Sequence, residues 1–434
     1  MTVPREQTVG TLSAQIADGS LTSTTLLESC IERINAREDD VGAFTHLDLD
    51  AARATAAKRD NEPAQTPLHG IPFGVKDIYD TARMPTGYGT QIYAGHQPAR
   101  DAWVVAKLEQ AGAVLVGKTV STEFGIMVPG KTRNPHDLER TPGGSSSGSA
   151  AAVADNMLPV SVGSQTTGST IRPASFCGIY GMKPSAGLID RTGMLLHSQT
   201  LDAVGFFGRD ADDLTVMFDV LARPHPTQTG KSEDAELWRN GEGTPRYAFV
   251  RTDIFDDLEP GIGDTLLRGA DRLSDAGADI IERELPVDLA EVIAAQTTIA
   301  DVEAAECLGH EYDTHKAQLS DFVITMIERG RAVPRETFEE ALALCRHMFW
   351  SFAALYDGID AVLTPAAPGE APVGIHATGS PAYGRLWTFA GVPAISVPGL
   401  TGPAGMPVGM QITARHGDDY RAIAAARWAG ERLA

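Results

Sequence analysis

Three residues could do acyl-transfer chemistry together. Lys76 closes the apolar run IPFGVKD. A lysine there either carries its ammonium to water along its own stem, or it is buried. Burial favours the neutral amine, a general base near pH 7. Serines gather in two glycine-rich strings, GGSSSGS at 143–149 and GSQTTGS at 163–169. In the first, glycines free the backbone just before a helical stretch, so Ser145 and its neighbours are either reactive hydroxyls or a plain helix cap. The second follows the apolar LPVSV and sets successive backbone N–H groups around Ser169. Such a turn is either an ordinary strand exit or an oxyanion hole.

Other candidates lead elsewhere. GAVLVGKT at 112–119 fits the phosphate-loop string GxxxxGK[ST], but its middle residues are AVLV, a strand rather than a cradle, so no nucleotide site is expected. A serine–histidine–aspartate hydrolase would need a histidine such as His69 or His197. No GxSxG elbow accompanies them, and Lys76 already offers a base. His69 is expected to pack the loop before the lysine. Arg172, three residues after Ser169, could bind a substrate carboxylate or tie down backbone carbonyls. The four cysteines are scattered, without metal-ligand spacing, so neither disulfides, zinc nor any other cofactor is expected.

Thirty-six Lys and Arg against 57 Asp and Glu give a formal charge of −21, which repels polyphosphate and argues against a nucleic-acid partner. A small anion held by one local arginine remains compatible. With no basic-then-apolar leader and no apolar run of about 20 residues, no membrane partner is expected and the location is expected to be cytoplasmic.

The elements that must position these residues alternate between helix and strand, which predicts the α/β class. Thr22–Arg37 carries Leu26, Leu27, Cys30, Ile31 and Ile34 on one stripe, a capped amphipathic helix. Helices are predicted near 50–59 and 101–111, and strands at the end of LHGIPFGVKD and at 113–116. The Gly/Ser/Thr-rich stretch 141–187 contains AAAVA, LPVSV and FCGIYGMKP and is therefore ordered, not linker. Residues 226–242 look like a polar surface loop. A strand (YAFV), a helix–strand pair at 263–284 and long helices at 288–310, 320–331 and 336–357 follow, then the strands AVLTP and MPVGMQIT and a final Ala-rich helix.

In combination the motifs are specific. Lys76, GGSSSGS and GSQTTGSTIRPASFCGIYGMKP, with PLHGIPFGVKD, AGAVLVGKT, TRNP, DGIDAVLTPAAP, FAGVPAISVP and MPVGMQI around them, closely resemble the amidase signature family. The resemblance runs from about residue 8 to the end and is weakest over 226–345. It implies a single α/β/α domain over 1–434 around a large mixed sheet, with a signature core at 65–215 and a divergent, largely helical substrate-side region. It implies Lys76 as base, Ser145 as relay after a cis Gly144–Ser145 peptide, and Ser169 as nucleophile, 24 residues further on. The amides of Thr166, Thr167, Gly168 and Ser169 would form the oxyanion hole. Gly125, Ile126 and Met127 would help build the substrate pocket, and Arg172 would bind substrate or hold the motif.

Two departures stand out. Thr167 replaces the family's usual Gly or Ala and crowds the oxyanion turn. Val120 replaces a frequent Asn after GKT. The activity implied is metal- and cofactor-free hydrolysis of a small amide, carbamate or urea-type compound, with a homodimer compatible. The alternatives are the glutaminase-type component of a tRNA-dependent amidotransferase, in which SIRQPA usually stands where this chain has STIRPA, and a non-catalytic binding protein on the same fold.

Overall fold

The computed structural model describes residues 3–223, 238, 242–251, 255 and 257–434; most of the loop expected at 226–242 lies outside the described residues. Eleven strands form one sheet: β1 (Phe44–Leu47), β2 (Pro72–Lys76), β3 (Val114–Thr119), β4 (Val160–Gln165), β5 (Tyr180–Lys183), β6 (Ala203–Gly208), β7 (Arg246–Val250), β8 (Asp279–Arg283), β9 (Ala361–Pro365), β10 (Ala394–Thr401) and β11 (Pro407–Thr413). Their order is β1-β3-β2-β4-β6-β5-β10-β11-β9-β7-β8. β2 runs parallel to both β3 and β4, and β7 runs parallel to β8 and β9. The remaining pairs are antiparallel, so the sheet is mixed.

Side-chain alternation shows why helices cover both faces. On β3, Val114 and Val116 join a cluster with Leu27, Ile31, Ile34, Ala52, Ala56, Ala151 and Ala152 from three helices. Leu115, between them, points into the opposite cluster with Val105 and Leu108. Both faces of β3 are thus buried, as its unbroken apolar run requires.

The predicted amphipathic helix spans Ser23–Val41; its Thr22 side chain accepts from Thr25 N, and Gly42 ends it at φ 63°. The helix expected at 288–310 stops at Cys307, and a separate helix covers Gly309–His315. The one expected at 336–357 covers Arg335–Ser351 and tightens into a 3₁₀ turn over Phe352–Tyr356. Among the described residues, no helix is long and apolar enough to cross a membrane.

Parallel β2 and β4 end side by side, with Val75 in register with Val162, so Lys76 and the GSQTTGS turn emerge at one edge of the sheet. The serine-rich string stitches its helix, Ser147–Ala154, to the strands beneath. Ser149 Oγ donates to Val162 O at 2.9 Å and lies 2.6 Å from Thr119 Oγ1, while Ser161 Oγ donates to Ser149 O at 2.7 Å. Gly148 makes the approach possible: a Cβ there would lie 2.1 Å from Ala43 O and 2.4 Å from Val120 N, both backbone atoms. We expect Gly148→Ala to lower the unfolding free energy by about 3 kcal/mol, because no side-chain rotation relieves the clash. A urea titration measures it; an unchanged midpoint would contradict this packing.

Candidate active site

Lys76 is fully buried at the end of β2. Its Nζ donates to Ser145 Oγ at 2.6 Å and to Ser164 Oγ at 2.8 Å. Burial brings the Lys76 pKa down to about 7; the Asp202 carboxylate opposes the fall and the Arg172 guanidinium adds to it. A neutral amine is therefore accessible near pH 7 and sits in direct contact with a serine hydroxyl. Among the described residues, no group of three or more His, Cys, Asp or Glu is placed to hold a metal ion.

Ser145 follows a cis Gly144–Ser145 peptide and is itself buried. Two neighbours fix its segment. Ser145 O accepts from Thr122 N at 3.3 Å, and Ser146 Oγ both donates to Ser164 O at 3.2 Å and accepts from Ser164 N at 3.1 Å. Gly163 permits the second contact, since a Cβ there would lie 2.8 Å from Ser146 Oγ. GGSSSGS and GSQTTGS are thus interlocked across β4.

The GSQTTGS turn is shaped from behind. Gln165 Oε1 accepts from Thr170 N at 2.9 Å and Ile171 N at 3.0 Å, capping the helix Ile171–Cys177. The intervening carbonyls are also held: Thr166 O by Gln296 Nε2 at 3.3 Å, Thr167 O by Thr388 Oγ1 at 3.3 Å and Gly168 O by Arg172 N at 2.9 Å. By contrast, the backbone N–H groups of Thr166, Thr167, Gly168 and Ser169 donate to no acceptor among the described residues. Orphan amides clustered in a turn are what an oxyanion needs. Gly384, on the helix Ala382–Phe389, lets that helix press on the turn; a Cβ there would lie 2.5 Å from Thr167 O.

A cavity of about 200 Å³ opens on this turn and is lined by Thr166, Thr167 and Ser169. Gly125, Ile126 and Met127 form part of its wall. Gly125 adopts φ 72°, and a Cβ on it would be 3.8 Å from Lys76 Nζ and 3.9 Å from Ser145 Oγ. The cavity thus meets the lysine–serine pair at Gly125 and Ser169 at its own wall. No hydrogen bond joins Ser145 to Ser169 among the described residues.

Arg172 needs correction as a substrate-binding residue. It is fully buried and absent from the cavity lining. Its Nη1 donates to Gly379 O at 2.9 Å, and its Nη2 donates to Gly144 O at 2.5 Å and Thr378 Oγ1 at 3.2 Å. A buried guanidinium must spend its donors on acceptors, and these hold the peptide that precedes Ser145. His69 packs against the chain before the lysine, its Nε2 3.0 Å from Arg59 O. Lys118 of the phosphate-loop string is buried beside Asp77 at 3.4 Å and donates to Thr86 Oγ1 at 2.7 Å, so it supports the chain after Lys76.

Sequence reasoning missed several residues. Ser164 lay inside a quoted motif, yet nothing in the string marks its hydroxyl as a second acceptor for Lys76. Asp202 accepts from Thr166 Oγ1, from His197 N at 2.9 Å and from Ser198 N at 3.1 Å, tying the turn to a distant loop. Gln296, Asp301, Arg329 and Arg385 line the cavity from helices that carry no motif.

The amidase family model matches residues 25–423. The GatA-type component of the glutamyl-tRNA(Gln) amidotransferase of Chloroflexus aggregans is 32% identical, over 95% of this chain and 93% of its own length. That of Chloroflexus aurantiacus is 38% identical over 66% of this chain, a match that spans 62% of the relative's length. Among solved structures, an amidase superposes with a TM-score of 0.88 at 28% identity, covering 99% of this chain and all of the other. The peptide amidase of Stenotrophomonas maltophilia superposes at 0.84 and 27% identity, with 99% and 97% covered. The fold and the site define a hydrolase of carbon–nitrogen bonds. The chain belongs to the amidase family.

The Arg172 contacts generate a test. Arg172→Met strips the donor from Gly144 O, so Ser145 loses its fixed position beside Lys76. We expect kcat to fall about 100-fold, the scale of a misplaced catalytic group, and equally for neutral and acidic substrates. A selective rise in KM for acidic substrates would return Arg172 to substrate binding.

Proposed function

We propose that this enzyme hydrolyses the acyl C–N bond of a small amide, carbamate or urea-type molecule through an acyl-enzyme on Ser169. The observation that carries this is the 2.6 Å contact between fully buried Lys76 and Ser145 at the edge of the cavity that Ser169 lines. In the neutral state of Lys76, Ser145 donates to the amine and can accept the proton of Ser169 as Ser169 Oγ attacks the acyl carbon. The C–O bond forms as the carbonyl π bond opens, and the orphan amides of Thr166, Thr167, Gly168 and Ser169 receive the oxyanion. On collapse, the C–N bond breaks and the proton returns to the departing nitrogen. Water then repeats the sequence on the ester and releases the acid.

A second reading is favoured by the amidotransferase relatives, which stand at 30–38% identity. In that reading the amide would be glutamine and the chain would work with partner proteins. STIRPA in place of SIRQPA supports the free-standing amidase. Hydrolysis of glutamine above other amides, with co-purifying partners, would support the amidotransferase instead.

The serines separate by labelling. Ser169→Ala is expected to lose turnover and all reaction with a fluorophosphonate. Ser145→Ala is expected to slow acylation by about 100-fold or more, the upper range for general acid–base assistance being about 10⁴, while Ser169 stays the labelled residue. Peptide mapping reads the outcome; label on Ser145, Ser146 or Ser147 would place the nucleophile in the other motif.

A further inference from the structure

The far wall of the cavity is built from two helices, Leu289–Cys307 and Ala382–Phe389, and carries chemistry that amide hydrolysis itself does not use. Arg385 follows Gly384, the residue packed on Thr167 and Gly168. Its Nη1 donates to Thr297 Oγ1 at 3.1 Å. No carboxylate pairs with it among the described residues. The nearest candidate, Asp301, has both oxygens taken by Arg329, at 2.7 and 2.8 Å. Burial lowers the Arg385 pKa, with Asp301 opposing the fall. A partly buried guanidinium with free donors, in a chain of net charge −21, is costly unless something supplies the negative charge.

Gln296 adds a second, complementary atom. It is fully buried and lines the same cavity. Its Nε2 donates to Thr166 O and to Arg385 O, both at 3.3 Å. Two carbonyl partners fix which end of the amide carries the nitrogen. Its Oε1 is therefore left as an acceptor, and it is buried without a partner among the described residues. Buried polar atoms are almost always satisfied, so this one points to an N–H that arrives with the ligand.

We propose that Arg385 and Gln296 select substrates that carry a carboxylate beside the scissile group, Arg385 pairing the carboxylate and Gln296 Oε1 accepting an N–H. Charge-assisted guanidinium–carboxylate bonds are the strong, directional kind, and Arg385 is held one residue from the glycine that backs the oxyanion turn. The substrate is thus a small acidic amide. This rests on the amidase reading and names the substrate class for that site.

Two measurements test it. Malonamate, succinamate and glutaramate are compared with malonamide, succinamide and glutaramide as substrates. We expect the best acid to exceed its neutral diamide at least about tenfold in kcat/KM, and Arg385→Met to collapse that preference about 100-fold. Arg385→Lys keeps charge but not the planar fork, and recovers part of it. Separately, calorimetry follows malonate, succinate and glutarate binding to the resting wild type and to Arg385→Met, each shown folded by near-ultraviolet circular dichroism. One dicarboxylate is expected to bind the wild type and to weaken at least about tenfold in the variant. Binding requires no nucleophile, so it stands or falls apart from Ser169 labelling. No preference for any acid, no dicarboxylate binding to the wild type, or changes under about threefold in Arg385→Met would overturn the proposal. Should Arg385→Met not fold, the wild-type preference and the Arg385→Lys variant decide.

Discussion

A lysine with no access to water is the constraint from which the rest of this site follows. Lys76 is held under the sheet edge, and the loss of ammonium solvation outweighs the attraction of Asp202. A fall from 10.5 to about 7 corresponds to on the order of 5 kcal/mol in favour of the neutral amine. That cost is borne by the folded chain, which must keep the site dry while giving the nitrogen polar partners. Ser145 and Ser164 supply them. A strand-end lysine free to reach water would be a cation and no base.

The surrounding architecture can be understood as what keeps that nitrogen buried and its serine still. β2 and β4 run parallel and end together, so Lys76 and Ser164 meet. Ser149, Ser161 and Thr119 clamp the helix that carries the Ser145 string. Arg172 clamps the peptide before Ser145 from the other side. These groups touch no substrate. Their value is that a hydroxyl within hydrogen-bond reach of a base loses little entropy on reaction. Thr167 fits the same logic, because its carbonyl is bonded from the helix behind it and its N–H is left free.

Much of this was legible in the sequence, and the pattern of what was not is physical. Lys76, the two serine strings, Gly125 to Met127 and the strands that carry them are local: glycine spacing and apolar runs declare them. The helix Ser23–Val41 declared itself by its stripe and its Thr22 cap. Arg172 could not be settled by sequence, since a guanidinium for carbonyls and one for a carboxylate look the same as text. Ser164, Asp202, Gln296 and Arg385 were silent because their roles depend on which elements pack together. Gln296 lies 130 residues from the Thr166 carbonyl it holds. Helix ends also shifted, as at Cys307, where tertiary packing rather than propensity sets the break.

The central claim is that Lys76 is the base because burial makes it neutral. The most direct measurement is a pH titration of the Lys76 side-chain nitrogen by NMR in resting enzyme, its signal assigned by comparison with Lys76→Ala. The account predicts a midpoint near 7, with the neutral amine dominant above it and the ammonium below, since desolvation penalises only the charged form. A midpoint at or above about 10, the range of an ordinary exposed lysine, would contradict it.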